Sequence, residues 1–199
     1  MDQVEAVVNF TKKFDITEYL CRKSVNGLAL IGAYYLAHEF LYTPLRGFWA
    51  HFLRPRRNLL KRYGEGSWAL VTGASDGIGE QLCYELARSG LNIVLVSRTK
   101  EKLDTVATKI KNDYNVKTVV IQYDFSVLST PEEADKLTKL IEDNTKDLDI
   151  SVLVNNVGLA WAGTFHTVPL QKMFNMLIIN CSSQLVLTRH FLSRWANTR

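Results

Sequence analysis

The sequence predicts an α/β domain built on a parallel sheet and preceded by an apolar helical membrane segment. Three observations carry this. From Ser67 onward short runs of consecutive apolar residues alternate with helical patterns, a glycine-rich turn joins the first run to the first helix, and an apolar stretch followed by basic residues lies ahead of them. Hydrophobic residues make up 47% of the 199, with four prolines, which suits one globular domain and an extension.

The first apolar run, SWALVT (Ser67 to Thr72), reads as a buried strand. GIGEQLCYELARSG (Gly77 to Gly90) has helical periodicity and a terminal glycine, and LNIVLVS (Leu91 to Ser97) returns to strand, completing a βαβ unit. A helix over residues 100–113 and a strand KTVVIQY (Lys117 to Tyr123) follow. The helix that starts at STPEEADKLTKLIED takes Ser129 or Thr130 as N-cap, with Pro131 in its first turn. ISVLVN (Ile150 to Asn155) is the fourth strand, and a last helix runs from Pro169 into the mid-190s. Apolar residues at consecutive strand positions imply a parallel sheet covered on both faces.

Ahead of the domain, GLALIGAYYLAHEFLY (Gly27 to Tyr42) spans 16 residues and includes His38 and Glu39. A bilayer-crossing helix needs ~20 apolar residues, so the segment is predicted to meet a membrane either by crossing it or by lying in its interface. TPLRGFWAHFL adds Phe48, Trp49, Phe52 and Leu53, and Pro44 is expected to break the helix into a hairpin or an interfacial arrangement. Phe40 to Gly64 holds no acidic residue, whereas Arg46, Arg54, Arg56, Arg57, Lys61 and Arg62 all fall there. RPRRNLLKR would face anionic headgroups on the cytoplasmic side. The alternative is an amphipathic helix packed on the domain with a solvated basic linker. A cleavable signal peptide is not expected, because mixed charge precedes a late apolar run. The expected organisation is an N-terminal segment over 1–26, a membrane-associated segment and basic linker over 27–63, and a nucleotide-binding domain over 64–199.

The formal charge of +4 is modest, and nucleic acid is not an expected partner. Cys21, Cys83 and Cys181 are odd in number, far apart and without C-x-x-C spacing, which predicts buried, unreactive thiols in a reducing compartment and no metal. His38, His51, His166 and His190 read as surface or helix-face residues, His166 being the one nearest a substrate.

The chemistry starts at TGASDGIG, Thr72 to Gly79. Gly73 turns the chain sharply after the strand, Gly77 lets the backbone approach a pyrophosphate, and Gly79 lets the helix pack on the sheet. The helix N-terminus offers N–H groups and a positive dipole end to phosphate. A glycine triplet between strand and helix of a βαβ unit is therefore a dinucleotide signal. The second strand ends in Ser97, then Arg98, with Lys100 close behind, where an NAD-selective site has an acid for the ribose 2′-OH. A guanidinium can instead hold a 2′-phosphate by charge-assisted contacts, so NADPH is the expected cofactor.

The spacing T-G-x-x-x-G-x-G resembles that of the short-chain dehydrogenase/reductase family. NNVG (Asn155 to Gly158) stands where the family has N-N-A-G after its fourth strand, and Asp124 where it places an aspartate at the adenine. Asn180 lies 25 residues beyond Asn155 in a long helix, where the family carries its catalytic asparagine. The resemblance implies cofactor contacts from Thr72, Gly73, Ser75, Asp76, Gly77, Ile78, Gly79, Ser97, Arg98, Asp124, Asn155, Val157 and Gly158, with Asn180 positioning a water in a proton relay. It implies strand order 3-2-1-4, the N-terminal part of a Rossmann-type doubly wound sheet.

Within the family, TGASDGIG, LNIVLVSRTKEKL, LVNNVG and the apolar N-terminal segment resemble the membrane-bound 17β-hydroxysteroid dehydrogenase and very-long-chain 3-oxoacyl-CoA reductase group, including hydroxysteroid dehydrogenase-like proteins. That implies the endoplasmic reticulum membrane with the domain facing the cytoplasm, or a mitochondrion as in some relatives. It also implies reduction of a 3-oxoacyl-CoA or steroid ketone. Such a reduction needs a tyrosine that donates a proton as hydride arrives, a lysine four residues later and a serine that orients the carbonyl. In the family these follow the helix of Asn180, and the chain stops at Arg199 before them, so a truncated fold not competent alone is expected. A noncatalytic nucleotide-binding or structural subunit of a membrane assembly, or one half of a split reductase, is the alternative. Strand four would then be an edge, which a partner chain would have to cover. YLCRK (Tyr19 to Lys23) fits Y-x-x-x-K but precedes the first strand and reads as coincidence.

Overall fold

The computed structural model describes Glu5 and residues 16–55 and 58–198. The chain divides into two compact units, Met1–Arg57 and Asn58–Arg199.

In the first unit, α1 (Ile16–Ala37) passes through a π-helical turn (His38–Tyr42) into α2 (Thr43–Phe48) and a second π-helical turn (Trp49–Leu53). Pro44 does not break this rod, and the expected hairpin is not formed there. The proline stands in the first turn of α2, and the π-helical turn ahead of it absorbs the ring: Thr43 N donates to His38 O five residues back, and Thr43 Oγ1 donates to the same carbonyl at 3.0 Å. The rod ends where Arg54 turns extended. No helix among the described residues is long and apolar enough to cross a membrane. Large apolar side chains nevertheless stand in the open along the rod, Phe40 at 73% and Phe52 at 75% exposure.

The second unit starts at Asn58 and includes α3 (Leu59–Tyr63), whose Leu59 and Leu60 pack on its core. Asn58 caps α3, accepting from Lys61 N at 2.9 Å. Then β1 (Trp68–Thr72), α4 (Gly77–Arg88), β2 (Asn92–Ser97), α5 (Lys100–Tyr114), β3 (Thr118–Gln122), α6 (Pro131–Thr145) and β4 (Ile150–Val154) alternate. The chain closes with α7 (Leu170–Leu177), a π-helical turn (Ile178–Ser182) and α8 (Ser183–Thr198). The four strands are parallel in the order β3-β2-β1-β4, as expected.

The consecutive apolar runs reflect burial on both faces. Alternate residues of β1 and β2 feed two cores: Ala69, Val71, Ile93 and Leu95 meet α4 and α5 through Cys83, Leu103 and Ile110. Leu70, Val94 and Val96 meet α6 and α8 through Leu137, Ile141, Leu187 and Phe191. β4 has one strand neighbour among the described residues, and Val152 to Val154 are only half-buried. Thr130, not Ser129, caps α6, accepting from Glu133 N at 3.3 Å. At the other end of α6, Arg194 of α8 donates to the carbonyls of Thr145 (2.8 Å) and Leu148 (2.7 Å), and Trp195 Nε1 donates to Ile150 O at 2.6 Å. These bonds tie α8 to α6 and β4, and so place the π-helical turn ahead of it.

Cys83 is buried, and burial pushes its thiol up to about 12. Cys181 is exposed, against expectation, since it occupies the outer side of the π-helical turn; the Cys21 side chain lies outside the described residues.

Candidate functional site

A cleft of about 300 Å³ opens at the C-terminal ends of the strands, where open α/β sheets bind ligands. The turn after β1 contributes Gly73, Ser75 and Asp76, and the end of β2 contributes Ser97 and Arg98. Tyr123, Asp124 and Phe125 follow β3, Asn156 to Leu159 follow β4, and Ile179 closes the wall from the π-helical turn.

The glycines differ in what they permit. Gly73 (φ +65°) and Gly77 (φ +59°) adopt the left-handed backbone that favours glycine. A Cβ on Gly77 would meet nothing within 4 Å, so the backbone there is bare toward open space, a cradle for a phosphate at a helix start. A Cβ on Gly79 would lie 2.2 Å from Gly73 O and 2.4 Å from Asn156 Nδ2. Gly79 is thus small for the sake of the turn itself, more than for helix–sheet packing.

The end of the cleft beside β1 and β2 is polar. Ser75 Oγ and Ser97 Oγ are 2.9 Å apart, and the exposed Arg98 follows at the strand end. Asp76 caps α4, its Oδ1 accepting from Gly77 N at 2.7 Å while Oδ2 accepts from Lys102 Nζ at 2.9 Å. The Lys102 ammonium, and then the Gly77 N–H, hold its carboxyl below the usual carboxylate range.

At the opposite wall, Asp124 Oδ1 accepts from Ser126 N at 3.0 Å and shapes a short 3-10 turn (Phe125–Val127). Tyr123 and Phe125 meet edge to face at 5.2 Å. The Tyr123 hydroxyl is buried without a hydrogen-bond partner among the described residues, and burial first, then the charges of Glu133 and Asp124, pushes it up.

Of the expected cofactor residues, Gly73, Ser75, Asp76, Ser97, Arg98, Asp124, Val157 and Gly158 line the cleft together. Thr72 is buried beneath it: its Oγ1 donates to Val154 O (3.3 Å) and accepts from Asn156 N and Val157 N (3.0 Å each). Gly77 and Ile78 sit on the adjoining surface at the start of α4, Ile78 with 75% exposure. The Asn155 side chain does not line the cleft. It turns to α8, donating from Nδ2 to Thr188 Oγ1 at 3.0 Å, because successive residues leaving β4 point to opposite sides. Asn156 serves the cleft instead, its Nδ2 donating to Thr72 O (3.0 Å) and Gly73 O (3.3 Å) and so bracing the glycine turn. The NNVG pair was the signal for it. Tyr123, Phe125, Leu159 and Ile179 carried no signal beyond their nearness to motif residues.

Asn180, in the π-helical turn, is half-buried and clamps the loop after β4. Its Oδ1 accepts from Leu159 N at 2.8 Å and its Nδ2 donates to Leu159 O at 2.9 Å, so both ends of the amide hold the cleft wall in place. Tyr19 and Lys23 lie in α1 of the other unit, and the Tyr19 side chain is outside the described residues. His166 is exposed in a short turn (Phe165–Thr167) and does not line the cleft. His190 faces Glu142, Nε2 to Oε2 3.3 Å, away from the cleft. Among the described residues no group of three metal-ligating side chains comes together.

Residues 67–199 match a family model described as short chain dehydrogenase. A very-long-chain 3-oxoacyl-CoA reductase from Coccidioides immitis is 41% identical over 148 residues, 73% of this chain and 41% of that protein. The human inactive hydroxysteroid dehydrogenase-like protein 1 is 36% identical over 171 residues, 82% of this chain and 49% of that protein. The chain therefore spans about half the length of the curated relatives it matches. Among solved structures, a 7β-hydroxysteroid dehydrogenase aligns with a TM-score of 0.60 at 31% identity, over 71% of this chain and 53% of the other. A short-chain dehydrogenase from Sphingobium yanoikuyae in complex with NADPH aligns with a TM-score of 0.58 at 26% identity, over 66% and 49%.

Proposed function

On the premise that this chain belongs to the short-chain dehydrogenase family, we propose that its cleft binds NADPH and that the reaction it inherits is reduction of a 3-oxoacyl-CoA or steroid ketone to the alcohol. The observation that carries the cofactor is the end of β2. There the Ser75–Ser97 hydroxyl pair and the exposed Arg98 stand where an NAD-selective site has a carboxylate. The substrate class rests on the names of the relatives, one a 3-oxoacyl-CoA reductase and another a hydroxysteroid dehydrogenase-like protein.

When bound, NADPH supplies the hydride. Ser97 and Arg98 hold its 2′-phosphate, the tight turn at Gly73 and the bare backbone at Gly77 with the start of α4 take the pyrophosphate, and Asp124 stands at the adenine end. Asn180 keeps Leu159 in the wall on the nicotinamide side. A noncatalytic nucleotide-binding role is the second reading, favoured by the identity to a relative named inactive. We further propose that the exposed apolar rod rests on a membrane surface, that of the endoplasmic reticulum or of a mitochondrion.

The test is calorimetric titration of the 199-residue protein with NADPH and NADH, beside an assay of NADPH oxidation with 3-oxoacyl-CoA and steroid ketones. NADPH is expected to bind at least roughly tenfold more tightly than NADH. Equal affinities would overturn the cofactor assignment, and ketone-dependent turnover would overturn the noncatalytic second reading.

A further inference from the structure

Asp76 poses an electrostatic problem for a cleft that accepts a 2′-phosphate. It lines the phosphate end next to Ser75, whose hydroxyl is 2.9 Å from that of Ser97, and a free carboxylate there would repel a phosphate dianion. The carboxylate is not free. Oδ1 accepts from Gly77 N at 2.7 Å, and Oδ2 accepts from Lys102 Nζ at 2.9 Å. Lys102 comes from the first turns of α5, four residues beyond Arg98, and does not itself line the cleft.

We infer that Lys102 is a positioning residue for cofactor selectivity: by pairing with Asp76 it neutralises the acid next to Ser75, so that Ser75, Ser97 and Arg98 can take a 2′-phosphate. The inference rests on the NADPH reading of the same cleft. Because Lys102 and Asp76 are 57% and 73% exposed, their pair does little for folding, and its effect falls on the charge a ligand meets. Losing the ammonium leaves one extra negative charge near a dianion in a solvent-like dielectric, which converts to a roughly 3- to 10-fold loss of affinity at low salt and is screened at high salt.

The probes are 2′,5′-ADP and 5′-AMP, which differ only in the 2′-phosphate, titrated calorimetrically at low salt and at about 0.5 M salt. Lys102→Met is expected to lower the preference for 2′,5′-ADP over 5′-AMP roughly 3- to 10-fold at low salt, with the loss shrinking at high salt. Lys102→Arg should restore it. Asp76→Asn retains a residue that caps helices well, and in that background Lys102→Met should have no effect on the preference. An unchanged preference in Lys102→Met overturns the inference. So does an equal loss in the Asp76→Asn background, which would put Lys102 in direct contact with the phosphate. Wild-type protein that binds both probes equally would overturn the NADPH reading itself, whereas a wild-type preference untouched by Lys102→Met overturns only the role of Lys102.

Discussion

Gly77 and Gly79 sit two residues apart in one turn and exclude side chains for different reasons, so alanine at each is expected to report a different thing. At Gly79 the methyl would enter the Gly73 carbonyl and the Asn156 amide that braces it. Gly79→Ala should lower stability by about 1–3 kcal/mol, read as a shifted urea midpoint. At Gly77 the methyl meets open space on a left-handed backbone. Gly77→Ala should cost about 1–2 kcal/mol and, unlike Gly79→Ala, weaken nucleotide binding in protein that remains folded. Arg98→Ala should reduce affinity for 2′,5′-ADP by roughly 10- to 100-fold with 5′-AMP unchanged, because a charge-assisted hydrogen bond contributes about 1.5–3 kcal/mol. The glycines and Arg98 were legible in the sequence because spacing and strand ends determine them. The choice between Asn155 and Asn156 was not, since two like residues leave β4 on opposite sides and only the register of that strand decides which one faces the glycine turn.

Among the elements, α8 bears most directly on the site, because it holds the π-helical turn of Asn180. Arg194 is 17% exposed and closes the last turn of α6 with bonds to Thr145 O and Leu148 O, plus Thr145 Oγ1 at 3.1 Å. Arg194→Leu should destabilise the second unit by about 2–3 kcal/mol, since buried carbonyls lose charged donors. One turn earlier, His190 is pushed below its ordinary value, first by burial and then by the Arg194 charge, with Glu142 opposing. The folded form therefore resists a proton that the unfolded chain accepts near pH 6.5. Stability conferred by neutral His190 is present above that pH and declines as pH falls through it. The difference between urea midpoints at pH 7.5 and pH 5.5 should be smaller in His190→Gln than in the parent. From β1 to β4 the strand and helix limits were legible to within about two residues because two-faced burial writes itself as consecutive apolar runs, whereas the start of α1 and the short α3 were not. The π-helical turns were not, since they leave the apolar pattern of the helix intact. That is also why Pro44, a helix breaker on sequence grounds, turned out to be accommodated.

At the scale of the whole molecule, two units with opposite habits share one chain. The second builds two apolar cores, with Ile78, Phe165, Leu170 and Leu185 among the apolar residues left exposed outside them, whereas the first leaves Tyr34, Phe40, Leu45 and Phe52 in the open along a rod roughly 55 Å long by helical rise. An apolar surface of that extent asks for a non-aqueous neighbour. No helix among the described residues can cross a bilayer, so the expectation is a rod lying in the interface, with Arg46 and Arg54 toward anionic headgroups. Flotation with vesicles containing about 30% anionic lipid should carry the full chain upward, while residues 58–199 alone should stay behind and keep their affinity for 2′,5′-ADP. Raised salt should weaken vesicle binding by removing the headgroup attraction while leaving the apolar part, and an alkaline carbonate wash should release the protein. Full chain that resists the wash would mean that the rod is held as a spanning segment is held. Flotation of residues 58–199 would place the lipid contact on the nucleotide-binding unit instead.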